Sequence, residues 1–277
     1  MNGNINKTDI EVELLILAIK QCYAMDFTHY KMASLKRRLE YHVEKNKLTH
    51  ISELIPYIIW SQKNFESLLF DISIPVTEMY RDPQVYAAIN DKVIPFLKTF
   101  PKPRIWIAGC ATGEEAYSLA ILLHEANCLN QYQIIATDFN MKALKQAQLG
   151  IYNASAIKEY EINYQKAGGK FSLNQYFIKE NDTIHVIPEI KNNITFIAHN
   201  LLYDAPIKDI NLILCRNVFI YFDRLLQKQV TNLFFDSLSR GGFLCLGLKE
   251  SLAFIEPHGF TPYDEKNRIY RKPFAAS

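Results

Sequence analysis

The residues best suited to chemistry lie between Ile105 and Ser118, in the stretch IWIAGCATGEEAYS. Gly109, Cys110, Ala111, Thr112 and Gly113 are small, and two carboxylates, Glu114 and Glu115, follow at once. Small side chains let a ligand approach the backbone closely. The acidic pair selects the ligand. A helix N-terminus attracts a pyrophosphate through its dipole, but Glu114 and Glu115 would repel one. The turn also lacks G-x-G-x-x-G spacing and a P-loop lysine. A cofactor with ribose hydroxyls and a positive centre suits it better, and S-adenosylmethionine is the candidate. An ordinary strand-to-helix turn with an acidic helix start fits the same residues, because short glycine motifs are weak signals. Asp138 extends the ligand reading. It ends the apolar run QIIAT and follows Gly113 at close to the ~20 residues expected of a carboxylate that holds ribose hydroxyls. A helix N-cap before Met141 is the other reading of Asp138.

Other chemistries find little support. The five cysteines (Cys22, Cys110, Cys128, Cys215, Cys245) are widely spaced, and three of them adjoin apolar runs. They read as small buried hydrophobes in a reducing cytoplasm, with no metal-ligand spacing. The seven histidines are scattered, so no metal is expected. A formal net charge of +2 does not describe a general polyanion binder, and nucleic acid is not an expected partner. No run approaches the ~20 apolar residues of a membrane span. The polar first residues carry no signal-peptide core, so a cytoplasmic monomer is expected.

The elements that must position these residues follow from periodicity. The run IWIA reads as a strand buried on both faces, and Tyr117, Leu119, Ala120, Leu122 and Leu123 as the helix after it. Upstream, residues from about 9 to 70 read as helices. Ile10, Leu14, Leu17 and Ala18 form one apolar stripe, and Met32, Leu35, Leu39 and Val43 another. Thr49 or Ser52 is placed to cap a third helix through Leu54, Ile55, Ile58 and Ile59, and Phe65, Leu68 and Leu69 suggest a short fourth. On the second helix the face opposite the stripe is assigned Arg37, Arg38, Tyr41 and Lys45. Such a face is either merely solvated or a dock for an acidic partner.

Pro75 and Pro83 break the helical pattern in DISIPVTEMYRDP, which carries Thr77, Tyr80 and Arg81. This predicts a helical domain over 1–70, a linker over 71–84, and an α/β domain over 85–277. Within the last, 151–192 is too polar for a central strand. It reads as an inserted β-lobe with a hairpin about Glu180-Asn181-Asp182. Further strands are expected at 194–198, 210–214 and 243–247, a helix opening at Tyr221, and 268–271 as the closing edge strand. The fold class is therefore a doubly wound, Rossmann-like α/β sheet with a small antiparallel lobe, preceded by an all-α domain.

GCATGEEAYSLA, ATDFNMKAL, HNLL, LILCRNVFIYFD, GGFLCLG and VTEMYRDP together resemble the chemotaxis receptor methyltransferases, the CheR family. The resemblance spans nearly the whole chain, with its motifs in order. It implies S-adenosylmethionine as methyl donor, S-adenosylhomocysteine as product, and glutamate side chains on the helical signalling region of chemoreceptors as acceptors. It implies that Thr77 and Arg81 lie near the cofactor. Glu115 and Asp138 would contact its methionyl and ribosyl parts, and Asn200 and Leu201 its adenine side. Arg216 and Asn217 would line the pocket floor, and Tyr221 would stand near the transferred methyl. The basic helix, through Arg37, Arg38 and Lys45, would dock the acidic receptor. The chain departs from the family at Met79-Tyr80, where an aromatic pair is usual, and at Leu248-Lys249, where His-Ser often precedes the glutamate.

A glutamate acceptor is ionised at neutral pH, its reference pKa being about 4.3, so no general base is needed. This accounts for the lack of a His/Asp or Cys/His constellation. Arg81 could orient the acceptor carboxylate through its fork of donors, and Tyr221 could support the same geometry. Two rival classes remain. Amino methyltransferases of nucleic acid carry Pro-Pro-Tyr after the fourth strand, where this chain has Cys215-Arg216-Asn217. A non-catalytic cofactor-binding signalling module would not need Arg81 and Tyr221.

Overall fold

The structure, a computed structural model, describes residues 6–73, 77–255 and 259–274. Pro75, expected to break the helical pattern, lies outside them. The chain divides into two compact units. One takes the described residues up to 73 together with Tyr221–Leu226; the other takes 77–220 and the described residues from Gln227 onward.

The first unit holds four helices, α1 (Lys7–Tyr23), α2 (Met32–Lys45), α3 (Leu54–Ile59) and α4 (Gln62–Ser73). Asn6 caps α1 by accepting from the Thr8 N–H. Helix α1 buries Val12, Leu15, Ile16 and Ile19, and the expected stripe of Ile10, Leu14 and Leu17 is exposed instead. Both sets have helical spacing, and periodicity alone does not say which set finds a partner. Helix α2 buries Leu35, Arg38, Leu39, His42 and Val43. These positions recur at three and four residues, so Arg38 lies in the inward stripe. Its assignment to the opposite, solvated face is thereby corrected, and Met32, expected inside, is exposed. Neither Thr49 nor Ser52 caps α3. The Glu53 carboxylate instead accepts from the Thr49 and His50 N–H groups at 3.0 and 2.9 Å, fixing a short 3₁₀ turn that runs into the helix. Helix α4 turns Phe65, Leu68, Leu69 and Ile72 inward.

The second unit opens with α5 (Pro83–Ala88), continues through a π turn at Ile89–Val93 into α6 (Ile94–Leu97), and enters β1 (Arg104–Ala108). Then follow α7 (Glu114–Glu125), β2 (Gln133–Asp138), α8 (Met141–Leu149), β3 (Ile151–Asn153) and α9 (Ile157–Lys166). Next come β4 (Phe177–Glu180), β5 (Thr183–Val186), α10 (Pro188–Lys191), β6 (Ile194–Ala198) and β7 (Ile210–Cys215). After α11 (Arg224–Ser237) the chain forms β8 (Leu238–Leu246), β9 (Thr261–Asp264) and β10 (Ile269–Arg271). Seven strands make one sheet in the order β6-β2-β1-β7-β8-β10-β9; the first five pair in parallel, and β10 is antiparallel to both its neighbours. Strands β1 and β7 are apolar and almost wholly buried, as strands covered on both faces must be. Trp106 at the sheet centre donates its indole N–H to Thr137 Oγ1 at 2.8 Å, which satisfies its polar atom without water.

Three elements differ from expectation. The lobe is a three-stranded sheet, β3-β5-β4, with helix α9, rather than a hairpin alone. Strand β8 begins at Leu238, and its register shifts beside Ile210/Leu212, so Gly241 and Gly242 lie within an irregular strand. Strand β10 is internal, because β9, whose sequence is only TPYD, pairs outside it and forms the edge. Among the described residues no helix is long and apolar enough to cross a membrane.

Candidate cofactor site at the strand ends

The parallel strands place their C-terminal ends side by side. Ala108 of β1 pairs with Thr137 of β2, and Asp138 pairs with Ala198 of β6. The loops at 109–113, 138–140, 199–202 and 215–218 therefore leave one edge of the sheet. Chain order reverses there between β1 and β7, the place where open α/β sheets bind ligands. Six residues expected at a cofactor site, Gly109, Asp138, Asn200, Leu201, Arg216 and Asn217, fall on this edge, and Gly113 and Glu115 open α7 beside it.

Hydrogen bonds build the glycine turn from its neighbours. The Gly109 and Cys110 N–H groups both donate to the Thr137 carbonyl, at 2.8 and 2.9 Å. Asp138 accepts from the Ala111 N–H on Oδ2 and from the Asn140 N–H on Oδ1, each at 2.9 Å. Asp138 is thus a brace for the turn as well as a ligand candidate. It is not the helix cap; Asn140 caps α8. Burial pushes the Asp138 carboxyl above the usual range, and the backbone N–H groups oppose that shift. Gly109 is required sterically. Its φ is +77°, and a Cβ there would stand 2.6 Å from Val218 Cγ2. Gly113, at φ +96°, occupies the N-cap of α7.

The two carboxylates that follow behave differently. Glu115 Oε1 accepts from Arg216 Nη1 at 2.8 Å. Arg216, buried, also donates through Nη2 to the Arg81 carbonyl at 2.7 Å and to Asp82 Oδ2 at 2.8 Å. Burial by itself pushes the guanidinium pKa down, but Glu115, together with Tyr86 and Cys245, more than offsets this, and the net shift is upward. Arg216 therefore ties β7, the start of α7 and the 80–82 turn into one knot. It is a framework residue in addition to its expected place at the pocket floor. Glu114 has no such cation. It accepts from Thr112 Oγ1 at 2.6 Å, and burial raises its pKa to about 7.

The 80–82 turn is strained. Tyr80 and Asp82 both have φ of +54°, a left-handed conformation that non-glycine residues rarely adopt, and Arg81 lies between them. The Tyr80 N–H donates to Ser118 Oγ at 2.9 Å, and its ring packs on Tyr86 and Tyr164. Tyr80 is fully buried here, so the departure Met79-Tyr80 keeps a tyrosine-lined core. Arg81 is half-buried and forms no ion pair among the described residues; its charge is felt by the Glu78 carboxyl. Thr77 is half-buried nearby in sequence. On the loop after β6, Asn200 Oδ1 accepts from the Leu202 N–H at 3.0 Å, so Asn200 and Leu201 begin a tight turn closed by Asp204.

Sequence reasoning missed Glu250. Buried, it accepts from the Asn217 N–H at 3.0 Å, the Gly247 N–H at 2.6 Å and the Ile220 N–H at 3.2 Å. One carboxylate thus fixes the loop that carries Arg216 and Asn217. Its sequence signal was a lone acidic residue just after an apolar strand. Asp82, the second acid on Arg216, was equally silent.

Tyr221 belongs to the helical unit. It does not open a helix: α11 begins at Arg224, and Asp223 Oδ1 accepts from the Leu226 N–H at 2.9 Å. The Tyr221 carbonyl accepts from the Lys31 N–H at 2.8 Å. Arg38 stacks its guanidinium on the Tyr221 ring, 4.1 Å from the centroid. Of the expected docking residues, Arg37 is exposed, and Lys45 is half-exposed but ion-paired to Asp71 at 2.9 Å. Arg38 is only 4% exposed, so it cannot meet a partner as a surface charge.

A sheet of this order, with its last strand antiparallel and its acidic glycine turn, defines an S-adenosylmethionine-dependent methyltransferase fold. The chain matches the family described as CheR methyltransferase, SAM binding domain, over residues 75–268, and that described as CheR methyltransferase, all-alpha domain, over residues 10–72. It is 41% identical over 266 residues to Cher3 of Pseudomonas putida strain KT2440, covering 96% of this chain and 97% of that protein. It is 32% identical over 257 residues to the chemotaxis protein methyltransferase of Listeria innocua, covering 91% and 95%. To that of Borreliella burgdorferi it is 30% identical over 265 residues, covering 91% of each. The chain belongs to the CheR methyltransferase family. Its cofactor is S-adenosylmethionine.

Proposed function

We propose that this enzyme methylates glutamate side chains on the helical signalling region of a chemoreceptor, in the cytoplasm. The observation that most supports this reading is the Arg216 knot. It joins the cofactor turn, through Glu115, to the strained turn that carries Arg81, through Asp82 and the Arg81 carbonyl. The backbone of Arg81, which forms no ion pair among the described residues, is thereby tied to the turn proposed to hold the cofactor.

The residues suit the cofactor. Asp138 and Glu115 offer carboxylate oxygens for hydroxyls and an ammonium. The buried cation among them, Arg216, is already neutralised by Glu115 and Asp82, so the site has the wrong polarity for a pyrophosphate. Thr77, Arg81, Gly109, Gly113, Glu115, Asp138, Asn200, Leu201, Arg216 and Asn217 would hold the cofactor, which supplies a methyl group on a sulfonium. The remaining work falls to the chain. The acceptor carboxylate arrives already ionised, so no residue needs to take its proton. Arg81 orients it through a fork of N–H donors and offsets part of its charge. Too tight a pairing would quench the nucleophile, so Arg81 acts through geometry. Tyr221 supports that geometry with its hydroxyl and ring. The helical part serves receptor docking, the linker expected over 71–84 is shortened to the stretch between α4, which ends at Ser73, and α5, which begins at Pro83, and the α/β part with its lobe at about 151–192 carries out methyl transfer.

The test is methyl transfer from labelled S-adenosylmethionine to a purified receptor signalling fragment. We expect label in the receptor that mild base releases as methanol, as glutamyl esters require. Arg81→Ala should lose about a hundredfold in turnover and keep most of its S-adenosylhomocysteine affinity. Base-stable label, or no transfer by the wild type, would overturn the reading.

A further inference from the structure

Arg38 is the least expected residue of the helical unit. A guanidinium is almost never fully buried unless it is paired, yet Arg38 is 4% exposed and forms no ion pair among the described residues. Its Nη1 donates to the Ile72 carbonyl, one of the orphan acceptors in the last turn of α4. Among the described residues its buried Nε and Nη2 make no hydrogen bond of standard geometry. Burial pushes its pKa down, and Tyr221 counters that shift. A leucine or methionine here would fill the same stripe as Leu35 and Leu39 without the cost of burying a charge. What the arginine supplies instead is a flat cation on the face of one ring, that of Tyr221, at 4.1 Å.

The backbone around that ring is held from the same side. The Lys31 N–H donates to the Tyr221 carbonyl at 2.8 Å, and the Asp223 N–H donates to the His29 carbonyl at 2.9 Å. Tyr30 and Phe222 form an antiparallel bridge between these bonds. The main chain of Tyr221 is therefore clamped by the residues just before α2, and its side chain by Arg38 within α2. The stack on Arg38 is the side-chain contact that bears on the plane of the Tyr221 ring.

We propose that Arg38 is a positioning residue for Tyr221: its buried guanidinium fixes the orientation of the tyrosine ring, and it takes no part in docking. This rests on the reading of Tyr221 as a residue of the methyl-transfer site. It separates two neighbours on one helix. Arg37 faces solvent, where a charge acts on encounter, and Arg38 acts through a ring, where it bears on turnover.

The test is a double-mutant cycle, with kcat and receptor KM measured at saturating cofactor for wild type, Arg38→Met, Tyr221→Ala and the double variant. We expect Arg38→Met to lower kcat about 10- to 100-fold, the scale of a small misplacement at a reacting centre. Receptor KM and S-adenosylhomocysteine Kd should stay within about twofold, and Tm should not fall, since a buried charge is replaced by an apolar side chain. In the Tyr221→Ala background Arg38→Met should have no further effect on kcat. Arg38→Lys keeps the charge but loses the flat stack. It should resemble Arg38→Met in kcat, and it carries the test if the methionine variant does not fold. If Arg38 merely caps α4, its variants will lower Tm and leave kcat intact, and the proposal falls. A raised KM with kcat unchanged, or effects of the two substitutions that multiply in the double variant, also overturns it. If Tyr221→Ala itself turns over normally, the reading of Tyr221 falls and takes this proposal with it. Loss in Tyr221→Ala without loss in Arg38→Met removes the positioning role alone.

Discussion

Glu114 and Glu115 are adjacent in sequence, and their environments separate them. Glu115 meets a guanidinium, while Glu114 meets a hydroxyl and little else that is polar. Burial accordingly lifts the Glu114 pKa from the model-compound value of 4.5 to about 7. The sign of the consequence follows from linkage. A carboxyl that binds its proton more tightly when folded contributes stability below its unfolded pKa, and that contribution is lost as pH rises through the folded pKa. Stability from Glu114 is therefore present below about pH 4.5 and gone above about pH 7. One pKa unit corresponds to about 1.4 kcal/mol, so the loss across this window is on the order of 3 kcal/mol. Glu114→Gln keeps an acceptor for Thr112 and removes the titration. Its thermal stability relative to wild type should improve from pH 5 to about pH 7 and level off above that. A constant difference in Tm across that range would show that Glu114 does not titrate there.

At the scale of elements, α2 shows what a pattern reveals and what it conceals. The periodicity of Leu35, Leu39 and Val43 was enough to place a helix and its inward face. It is not enough for Arg38, because charge is no proxy for exposure. Helical geometry puts position 38 beside 35, 39 and 42, whatever its chemistry. The α1 stripe failed for a related reason: two apolar sets compete there, and only tertiary packing chooses Val12, Leu15, Ile16 and Ile19 over Ile10, Leu14 and Leu17. The central strands were legible because burial on both faces demands continuous apolar runs. Strand β9 was not, since an edge strand of four residues containing a proline carries no alternation to read. The glycine turn and the strand end at Asp138 were legible as local structure. The knot that supports them was not, because Asp82, Arg216 and Glu250 meet only in the folded chain. The correction to α2 narrows the docking prediction to Arg37. Reversing it, Arg37→Glu, should raise receptor KM about two- to tenfold at low salt and flatten the salt dependence, with kcat and cofactor affinity unchanged, as a solvated rim charge does. Wild-type KM at every ionic strength would mean that this face is merely hydrated.

At the scale of the whole molecule, the helical unit is not one continuous length of chain. Residues up to 73 are completed by Tyr221–Leu226, which the chain supplies after most of the α/β unit has been built. The returning segment is fastened by its own second residue. Phe222 is 3% exposed, and its ring meets that of Tyr30 edge-on at a centroid distance of 5.4 Å. Tyr30 in turn packs on Phe27 at 4.8 Å, and His29 pairs with Asp223 at 2.9 Å. The exposed His29–Asp223 pair adds little; the buried ring carries the attachment. Truncating such a ring typically costs about 3–5 kcal/mol. The residues proposed to hold the cofactor all lie between 77 and 217, in the other unit. Phe222→Ala should therefore divide the two properties of the enzyme. Methyl transfer to receptor should fall about tenfold or more, because the segment bearing Tyr221 is loosened. S-adenosylhomocysteine binding measured by calorimetry should change little, and saturating S-adenosylhomocysteine should still raise the melting temperature by a few degrees through mass action. Turnover and cofactor affinity that decline together would show instead that Phe222 supports the α/β unit, and that the returning segment is not a separable attachment.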